Sequence, residues 1–359
     1  PAAASDWAIK ALNVDERSGM GWYVLGIARE KIGDFKSAIR AYESALALIP
    51  NHASIANDLG RLAYRLNMKD VAEKLFVHFM VANPDSYEAA NNLASVVRDL
   101  GRYEEAVEIL RPAINREPEQ PVLWNTLGTV LSEQGATEAA LTFFDEALRL
   151  DPGFAKARYN RGNARLYVGM IDDALADNQL ALSQTVAMDE RQMMLLASST
   201  IKICLGRVGE GWDDYEARLS PHYAEATRFL VDRPMWKLED DLAGKNFVLM
   251  GEQGLGDEIL FANMIPDLID AVGPDGKVTI AVEKRLAPLF KRSFPGARVV
   301  AHATYKVDGR NVRAAPAISD WPSIDMWAPM ASPLRRFRRA VIDYPMRERF
   351  LTADPERVE

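Results

Sequence analysis

Apolar residues recur with helical spacing in the first half of the chain, and the pattern repeats every 34 residues from about Gly19 to about Met188. Most copies contain a central glycine and end in a proline. Glycine tolerates the positive φ that often ends a helix, whereas proline lacks a backbone N–H and cannot continue one. The pattern therefore predicts two helices per copy. The residues that mark the helix ends are Gly33, Gly101, Gly135 and Gly169, and Pro50, Pro84, Pro118 and Pro152.

Small residues recur where the two helices of a copy must approach closely, and large residues recur where copies must pack together. The small residues include Gly26, Gly60, Gly128 and Gly162, and the large ones include Trp22, Tyr42, Phe76, Trp124 and Phe144. A period of 34 with these residue types resembles the tetratricopeptide repeat. Four complete copies and a weaker fifth exceed the roughly three that a shared core requires. The resemblance implies an α-solenoid, a fold that usually holds another polypeptide.

Polar residues recur at positions 5, 6 and 9 of the first helices of the copies, and helical spacing places these positions on one face. A side-chain amide can pair with both the donor and the acceptor of an extended peptide backbone. The repeated asparagines therefore predict a loosely specific peptide groove, which resembles the asparagine ladder of O-GlcNAc transferase; ordinary polar surface is the alternative. The predicted groove residues are Tyr23, Asn57, Asn91, Asn92, Asn125, Asn160 and Asn163, with Arg61, Ser95 and Thr129 also at position 9.

The repeat spacing fails after about Met188, and the pattern changes to strand, loop and helix beyond Leu242. Apolar runs predict strands at 247–250, 278–282 and 298–300, with helices at 257–272 and 286–290. This alternation is typical of a parallel sheet with helical crossovers. The sequence thus predicts a repeat solenoid at 1–188, a closing helical pair and linker at 189–241, and a Rossmann-like α/β domain at 242–359.

A glycine-rich loop follows the first predicted strand and leads into the first predicted helix. Its residues are Gly251, Glu252, Gln253, Gly254, Leu255 and Gly256, followed by Asp257. The backbone of such a loop can approach an anionic ligand closely. The spacing is neither the dinucleotide fingerprint nor a P-loop, which disfavours a dehydrogenase or an NTPase. A plain strand-to-helix turn with Asp257 as the N-cap is the structural alternative.

An ordered set of residues resembles a known group of proteins. The set is Gly211-Trp212, Tyr215-Glu216, Arg218, Trp236, Leu242-Ala243-Gly244-Lys245 and the glycine loop. It resembles bacterial proteins that join tetratricopeptide repeats to a GT-B glycosyltransferase domain, some of which modify flagellins. The Gly256-Asp257 pair also resembles the Gly-Asp of lipopolysaccharide heptosyltransferases. Trp212, Tyr215 and Trp236 are expected to pack at the domain junction, because aromatic residues dominate cores and interfaces.

The resemblance implies a protein O-glycosyltransferase of the bacterial cytoplasm. Asp257 is then the base that activates an acceptor hydroxyl, and the loop from Gly251 to Gly256 faces the donor phosphate. The co-substrate is a nucleotide-sugar, no other cofactor is expected, and the acceptor is a protein such as flagellin. Only 118 residues follow residue 241, enough for the N-terminal half of a GT-B fold. The donor-binding half is therefore expected to be absent, and this chain alone is expected to be inactive.

A non-catalytic scaffold that binds peptides or partner proteins is the alternative function. It needs the solenoid and only an inert Rossmann-like domain. A second strand–helix domain with a nucleotide-sugar site, encoded downstream, would favour the enzyme. Pro1 interrupts what resembles an earlier copy, so we expect further repeats upstream.

Composition narrows the other possibilities. A net charge of −8 argues against nucleic acid as the main partner, and no apolar run reaches the length of a membrane helix. The single cysteine, Cys204, excludes an internal disulfide and is expected to be a small buried residue. The four histidines lack metal-ligand spacing. A basic cluster near the end of the chain is expected to be a solvated face, with a phosphate contact as the alternative. Its residues are Arg335, Arg336, Arg338 and Arg339.

Overall fold

The computed structural model describes residues 1–184, 186–307, 310–346 and 349–356. The chain divides into two units, Pro1–Val168 and Gly169–Glu359. This division falls between the two helices of the fifth repeat copy. The finer division at residues 188 and 241 stays a prediction.

The first unit is entirely helical. Its helices are α1 (Ala2–Val14), α2 (Gly19–Lys31), α3 (Phe35–Leu48), α4 (Ala53–Arg65), α5 (Lys69–Ala82), α6 (Tyr87–Asp99), α7 (Tyr103–Arg116), α8 (Pro121–Glu133), α9 (Thr137–Leu150) and α10 (Ala155–Tyr167). The first four copies of the repeat form the helix pairs α2–α3, α4–α5, α6–α7 and α8–α9. The predicted helical solenoid is therefore confirmed for these copies.

The residues that mark the repeat act as predicted. Gly33, Gly101 and Gly135 have φ values of 82°, 77° and 98°, and Asn67 takes the same conformation in the second copy at 60°. A Cβ added to Gly26 would lie 2.6 Å from the ring of Tyr42, and one added to Gly60 would lie 2.7 Å from Phe76. Because no side chain fits there, glycine lets the two helices of a copy approach closely.

The second unit begins with helices and continues as an α/β region. Its helices are α11 (Ile171–Leu182), α12 (Met188–Cys204), α13 (Val208–Tyr215), α14 (Leu255–Phe261), α15 (Ile265–Val272), α16 (Ala287–Ser293) and α17 (Leu334–Phe337). Trp212 and Trp236 are buried in the same core as the strands. Their packing at a junction between domains stays a prediction. Cys204 is exposed, so its predicted burial is wrong. It is the last residue of α12, where the chain turns at Gly206 with a φ of 76°.

The strands of this unit form two sheets. They are β1 (Arg228–Phe229), β2 (Asn246–Met250), β3 (Lys277–Val282), β4 (Arg298–Ala301), β5 (Ala303–Val307), β6 (Arg310–Ala314) and β7 (Met326–Pro329). The larger sheet has the order β4-β3-β2-β7, and its neighbouring strands are all parallel. In chain order its strands are arranged 3-2-1-4, which is the order of the first four strands in the doubly wound nucleotide-binding sheet. A parallel α/β region therefore follows the repeats, as predicted.

Both faces of β2 are covered, as expected for a parallel strand. Phe247 and Leu249 pack into the core that contains Trp212, whereas Val248 and Met250 pack on the opposite side with Trp327. Within this larger sheet, Phe247 pairs with Val278 of β3 and with Met326 of β7. The sheet thereby fixes the carboxyl end of β2, where the glycine loop begins.

Three features of this region differ from the prediction, and one of them is strand β7, which was not predicted. The helix predicted at 257–272 is divided into α14, a 3-10 turn at Ala262–Met264, and α15, which has Pro266 in its first turn. Proline there cannot donate to a continuous helix, so the chain restarts. The smaller sheet, ordered β1-β6-β5, was not predicted. Its strands have two to five residues, and β5 is largely exposed, so no apolar run marks them.

Candidate functional site

The glycine loop lies at the carboxyl end of β2, between the neighbouring strands β3 and β7. In the 3-2-1-4 order, the chain turns to opposite sides of the sheet at this point. Open α/β sheets bind ligands in the crevice at such a switch point. The loop is therefore where the topology alone would place a ligand, and its side chains decide whether the crevice is available.

Glu252 fills part of this crevice. It is buried, and its carboxylate accepts hydrogen bonds from Arg218 Nε at 2.8 Å and Nη2 at 2.9 Å. The backbone N–H of Ala331, just beyond β7, donates to the same carboxylate at 2.7 Å. Glu252 is thus a buried member of an ion pair and not an exposed loop residue. The carboxylate joins the carboxyl ends of β2 and β7.

Arg218 reaches this position from the 3-10 turn Glu216–Leu219, which follows α13. Its guanidinium also donates to Glu216 at 2.7 Å and to Ser332 Oγ at 3.1 Å, and it lies over the ring of Tyr215. Burial lowers the pKa of Arg218, but the attraction of Glu252 and Glu216 outweighs it, and the net pKa lies above the ordinary value. Arg218 is therefore a permanent cation inside the switch-point crevice.

Asp257 is half-buried in the first turn of α14. Its Oδ2 accepts a hydrogen bond from the backbone N–H of Gly254 at 3.0 Å. Gly254 is the N-cap, so the alternative that made Asp257 the N-cap is wrong: the helix begins at Leu255, three residues earlier than that alternative requires. The aspartate closes the turn from the third helical position, as the acidic residue of a capping box does. Its role as a catalytic base stays a prediction.

This bond also bears on the predicted phosphate loop. The Gly254 N–H points to the Asp257 carboxylate, so it is not available to a ligand phosphate while that bond is made. Gln253 has a φ of 63°, an unusual value for a residue with a side chain. Its carbonyl oxygen accepts a hydrogen bond from Arg313 of β6. The loop is therefore held in shape from both sides. Contact between a donor phosphate and Gly251, Glu252, Gln253, Gly254, Leu255 and Gly256 stays a prediction.

A second buried polar cluster lies beneath the loop. Glu258 accepts hydrogen bonds from the Glu283 N–H at 2.9 Å and lies 2.9 Å from His302 Nε2 and 3.5 Å from Arg313 Nη1. A Cβ added to Gly251 would lie 2.5 Å from Glu258 Oε1. Burial lowers the pKa of Arg313, and Glu258 and Glu252 offset only part of that effect. Gly251 is thus required because the Glu258 carboxylate lies against its backbone.

Sequence reasoning did not identify His302 or Arg313 as part of this region. The signal that could have found His302 is its place directly after the predicted strand at 298–300, where side chains reach the ligand-binding edge of a parallel sheet. Arg313 lies in β6, a strand that the sequence did not predict. It could be found only from the fold.

The predicted groove residues form a regular hydrogen-bonded ladder between repeats. Position 5 of one copy bonds position 6 of the next, 35 residues later. The four bonds are Tyr23 Oη to Asp58 Oδ2 at 2.7 Å, Asn92 Nδ2 to Asn57 Oδ1 at 2.9 Å, Thr126 Oγ1 to Asn91 Oδ1 at 2.6 Å, and Asn160 Nδ2 to Asn125 Oδ1 at 2.9 Å. We call the surface formed by positions 5, 6 and 9 of α2, α4, α6, α8 and α10 the ladder face.

The ladder changes what the asparagines can offer to a peptide. Asn57 and Asn125 are buried, and Asn57 also donates to Glu88 at 2.9 Å. Asn91 and Asn92 are half-buried and hydrogen-bonded to each other at 3.4 Å. Asn163 is half-buried, and its side chain makes no hydrogen bond to another described residue. The amides therefore first hold adjacent repeats together, and the peptide groove stays a prediction that must rest on the whole face.

The arginine cluster is a solvated face only in part. Arg336 and Arg339 are exposed, whereas Arg335 is half-buried. Arg338 is fully buried and donates to Asn263 and Asp267 at 2.7 to 2.8 Å. Arg335 and Arg339 both donate to Asp213, and Arg336 donates to the backbone oxygen of Asp240. The cluster fixes the chain after β7 against α13 and α15. The acidic partners, Asp213 and Asp267, are distant from these arginines in the sequence but adjacent to them in the structure.

Neither a membrane-spanning helix nor a metal-binding cluster occurs among the described residues. No helix there is long and apolar enough to cross a membrane. Among the same residues, no group of three or more His, Cys, Asp or Glu side chains could hold a metal ion.

Comparison with known proteins bears mainly on the repeats. The tetratricopeptide repeat family profile matches residues 19–52 and 85–153. Protein FlbA of Caulobacter vibrioides is 50% identical over 357 residues, which cover 99% of this chain and 60% of that protein. Human tetratricopeptide repeat protein 7A is 32% identical over 116 residues, covering 32% of this chain and 14% of that protein. The chain therefore spans less than two thirds of the length of these relatives.

A solved structure agrees with the fold of the repeats. The chain is similar to a tetratricopeptide repeat protein from Parabacteroides merdae, with a TM-score of 0.54 and 15% identity over 60% of this chain and 84% of that one. At this identity the likeness shows the fold alone. The first unit is thus built of tetratricopeptide repeats, and the chain is similar over nearly its whole length to Protein FlbA.

Proposed function

We propose that this chain is a polypeptide-binding scaffold whose repeats hold an extended segment of a partner protein on the ladder face. The observation that carries the proposal is the ladder itself. Hydrogen bonds from each copy to the next hold the first helices in register across five copies. A partner chain laid across these helices would meet one ladder bond between each pair of adjacent repeats. Arrays of this fold commonly bind partner chains in this way.

The chemistry of the ladder face suits a peptide backbone better than charged side chains. Positions 5, 6 and 9 of α6 and α8 carry only neutral polar groups, and two of them are satisfied within the helix. Ser95 Oγ donates to the backbone oxygen of Asn91 at 2.8 Å, and Thr129 Oγ1 donates to that of Asn125 at 2.9 Å. Their hydroxyl oxygens can still accept from a peptide N–H. We therefore propose recognition with little dependence on partner sequence.

The partner that we propose is flagellin, and the proposed setting is the bacterial cytoplasm. Support for both comes from the resemblance of the Trp212-to-Asp257 set to flagellin-modifying proteins. The probe is the flagellin of Caulobacter vibrioides, the organism of the 50% identical relative.

Thr129→Arg is expected to weaken flagellin binding by about tenfold or more, because a long charged side chain would occupy the middle of the ladder face. The four ladder bonds do not involve the side chain of Thr129. Its hydroxyl oxygen accepts a longer hydrogen bond, of 3.3 Å, from Asn160 Nδ2. Affinity is measured by fluorescence anisotropy with labelled flagellin.

Thr142→Arg is the matched control, since Thr142 is exposed on α9, the second helix of the same copy. It is expected to bind flagellin like the original chain. Equal affinity in the two variants, or no saturable binding by the original chain, would count against the ladder face.

Glycosyl transfer to a Ser or Thr hydroxyl is the second candidate function. It is supported by the 3-2-1-4 parallel sheet and by a half-buried carboxylate, Asp257, directly after the loop at the switch point. A carboxylate there could take a proton from an acceptor hydroxyl as a nucleotide-sugar loses its nucleotide. In this proposal the other half of the enzyme supplies the donor site.

Asp257→Asn is expected to abolish transfer while preserving the fold, because the amide oxygen of asparagine can still accept from the Gly254 N–H. The test uses a chimera in which this chain replaces the matching part of Protein FlbA. Intact-mass measurement of co-expressed flagellin reports the added sugar. A chimera that modifies flagellin equally well with asparagine would exclude Asp257 as the base, and a chimera that never modifies flagellin would leave only the scaffold.

A further inference from the structure

An open pocket of about 350 Å³ lies beside the glycine loop, in the second unit. One wall is the segment after Arg218, including Tyr223, Glu225 and Thr227. The floor includes Gln253 and Gly254. The far wall is formed by β5 and β6, including Lys306, Arg310 and Asn311. This volume lies within the usual range for small-molecule sites. Arg218 and Glu252, which fill the switch-point crevice, also form part of the lining of this pocket.

The cations that line this pocket differ in how much of their charge is already neutralised. Arg218 is held by two carboxylates. Lys306 is exposed and Arg310 is half-buried, and neither makes an ion pair with any residue that the structure describes. The pocket therefore has two cationic side chains with capacity for an incoming anion. Of its acidic residues, Glu252 is neutralised by Arg218, and Glu225 accepts a hydrogen bond from Tyr223 at 3.1 Å.

The loop backbone is less suited to hold the anion than these side chains are. The Gly254 N–H donates to Asp257, and the Gln253 carbonyl accepts from Arg313. An anion bound by the loop amides would have to displace the Asp257 carboxylate. An anion between Lys306 and Arg310 needs no such rearrangement, and charge-assisted hydrogen bonds from Lys or Arg to phosphate are strong.

We infer that this pocket binds a small phosphate-bearing molecule, with Lys306 and Arg310 as its anion contacts. Thr227 and Asn311 supply neutral hydrogen-bonding groups beside the cations, which suits the polar remainder of such a ligand. In the GT-B arrangement that the sequence resembles, the donor belongs to the other half of the enzyme. The proposed anion contacts, Lys306 and Arg310, lie outside the loop that is predicted to face the donor phosphate. The inference therefore concerns an additional anion site, and it requires neither flagellin binding nor sugar transfer.

The test is isothermal titration of the full chain with inorganic pyrophosphate at low ionic strength. We expect saturable binding of one equivalent that weakens as salt is raised. Lys306→Ala and Arg310→Ala should each weaken binding by about tenfold or more, which corresponds to the loss of a charge-assisted contact. Lys291→Ala, an exposed lysine on α16 away from the pocket, should bind pyrophosphate like the original chain.

Absence of saturable binding to pyrophosphate, or equal affinity in all three variants, would overturn the inference. Thr129→Arg distinguishes this site from the proposed scaffold function. It should lose flagellin while keeping pyrophosphate, whereas Lys306→Ala should lose pyrophosphate while keeping flagellin. Circular dichroism of each variant shows that a lost affinity does not reflect a lost fold.

Discussion

Arg218→Ala is expected to destabilise the second unit by about 3–5 kcal/mol, the usual cost of removing one member of a buried ion pair. Glu252 would be left buried without its cation, and Glu216 and Ser332 would also lose a partner. Stability is measured by urea unfolding of the chain and, separately, by hydrogen exchange of the backbone amides in β2 and β3. Exchange in those strands reports this unit separately from the repeats.

The control for this substitution is Arg207→Ala. Arg207 also makes a two-pronged pair, with Glu210, but on the protein surface. Exposed pairs contribute little because solvent screens them, so this variant should unfold like the original chain. If Arg218→Ala and Arg207→Ala have the same effect, Arg218 and Glu252 are not a structural pair that fills the crevice.

Gly251→Ala is expected to destabilise the same unit by about 1–3 kcal/mol, the usual range for an overpacked interior. The added methyl group would lie 2.5 Å from Glu258 Oε1 and 3.0 Å from the backbone oxygen of Ala281. Glu258 cannot move aside easily, because it is buried and its carboxylate is fixed by the Glu283 N–H and His302. Thermal unfolding followed by circular dichroism measures the loss.

Gly256→Ala provides the matched control within the same loop. No atom lies within 4 Å of the Cβ that would be added there, and the residue is already in the first turn of α14. Alanine favours helix over glycine by up to about 1 kcal/mol, so this variant should be unchanged or slightly more stable. A similar loss in both variants would show that the loop tolerates no side chain at all, for reasons other than Glu258.

The repeat architecture could be predicted from the sequence because each structural requirement recurs in the same place. A glycine such as Gly33 is needed wherever the chain turns with positive φ, and the period reveals the requirement. In the second copy, which lacks this glycine, Asn67 adopts the same conformation. Asparagine is one of the few residues besides glycine that adopt it readily. Local rules and the period therefore gave the same answer.

The ladder was only partly predictable. The sequence placed the asparagines on one face, but their partners lie 35 residues away, and only the stacking of adjacent copies shows the one-position offset. From the sequence alone, the side-chain amides of Asn57 and Asn92 are both expected to be available to a peptide. In the structure they bond each other, so part of the predicted peptide-binding capacity instead stabilises the solenoid.

The site in the α/β unit was harder to predict because its residues come together only through the sheet. Arg218 lies 34 residues before Glu252, and Arg313 lies 55 residues after Glu258. The ion pairs of the arginine cluster could not be predicted for the same reason, since Asp213 precedes Arg335 by 122 residues. A pattern of neighbouring residues carries no information about such partners. Strand β7 was not predicted because it is only four residues long and contains Pro329.

The proposal that repeats hold a polypeptide is tested most directly by hydrogen exchange of the full chain with and without bound Caulobacter vibrioides flagellin. We predict that protection appears in α4, α6 and α8, the central first helices of the ladder face, while α5, α7 and α9 exchange as before. Protection confined to those second helices, or to residues after Gly169, would contradict the proposal.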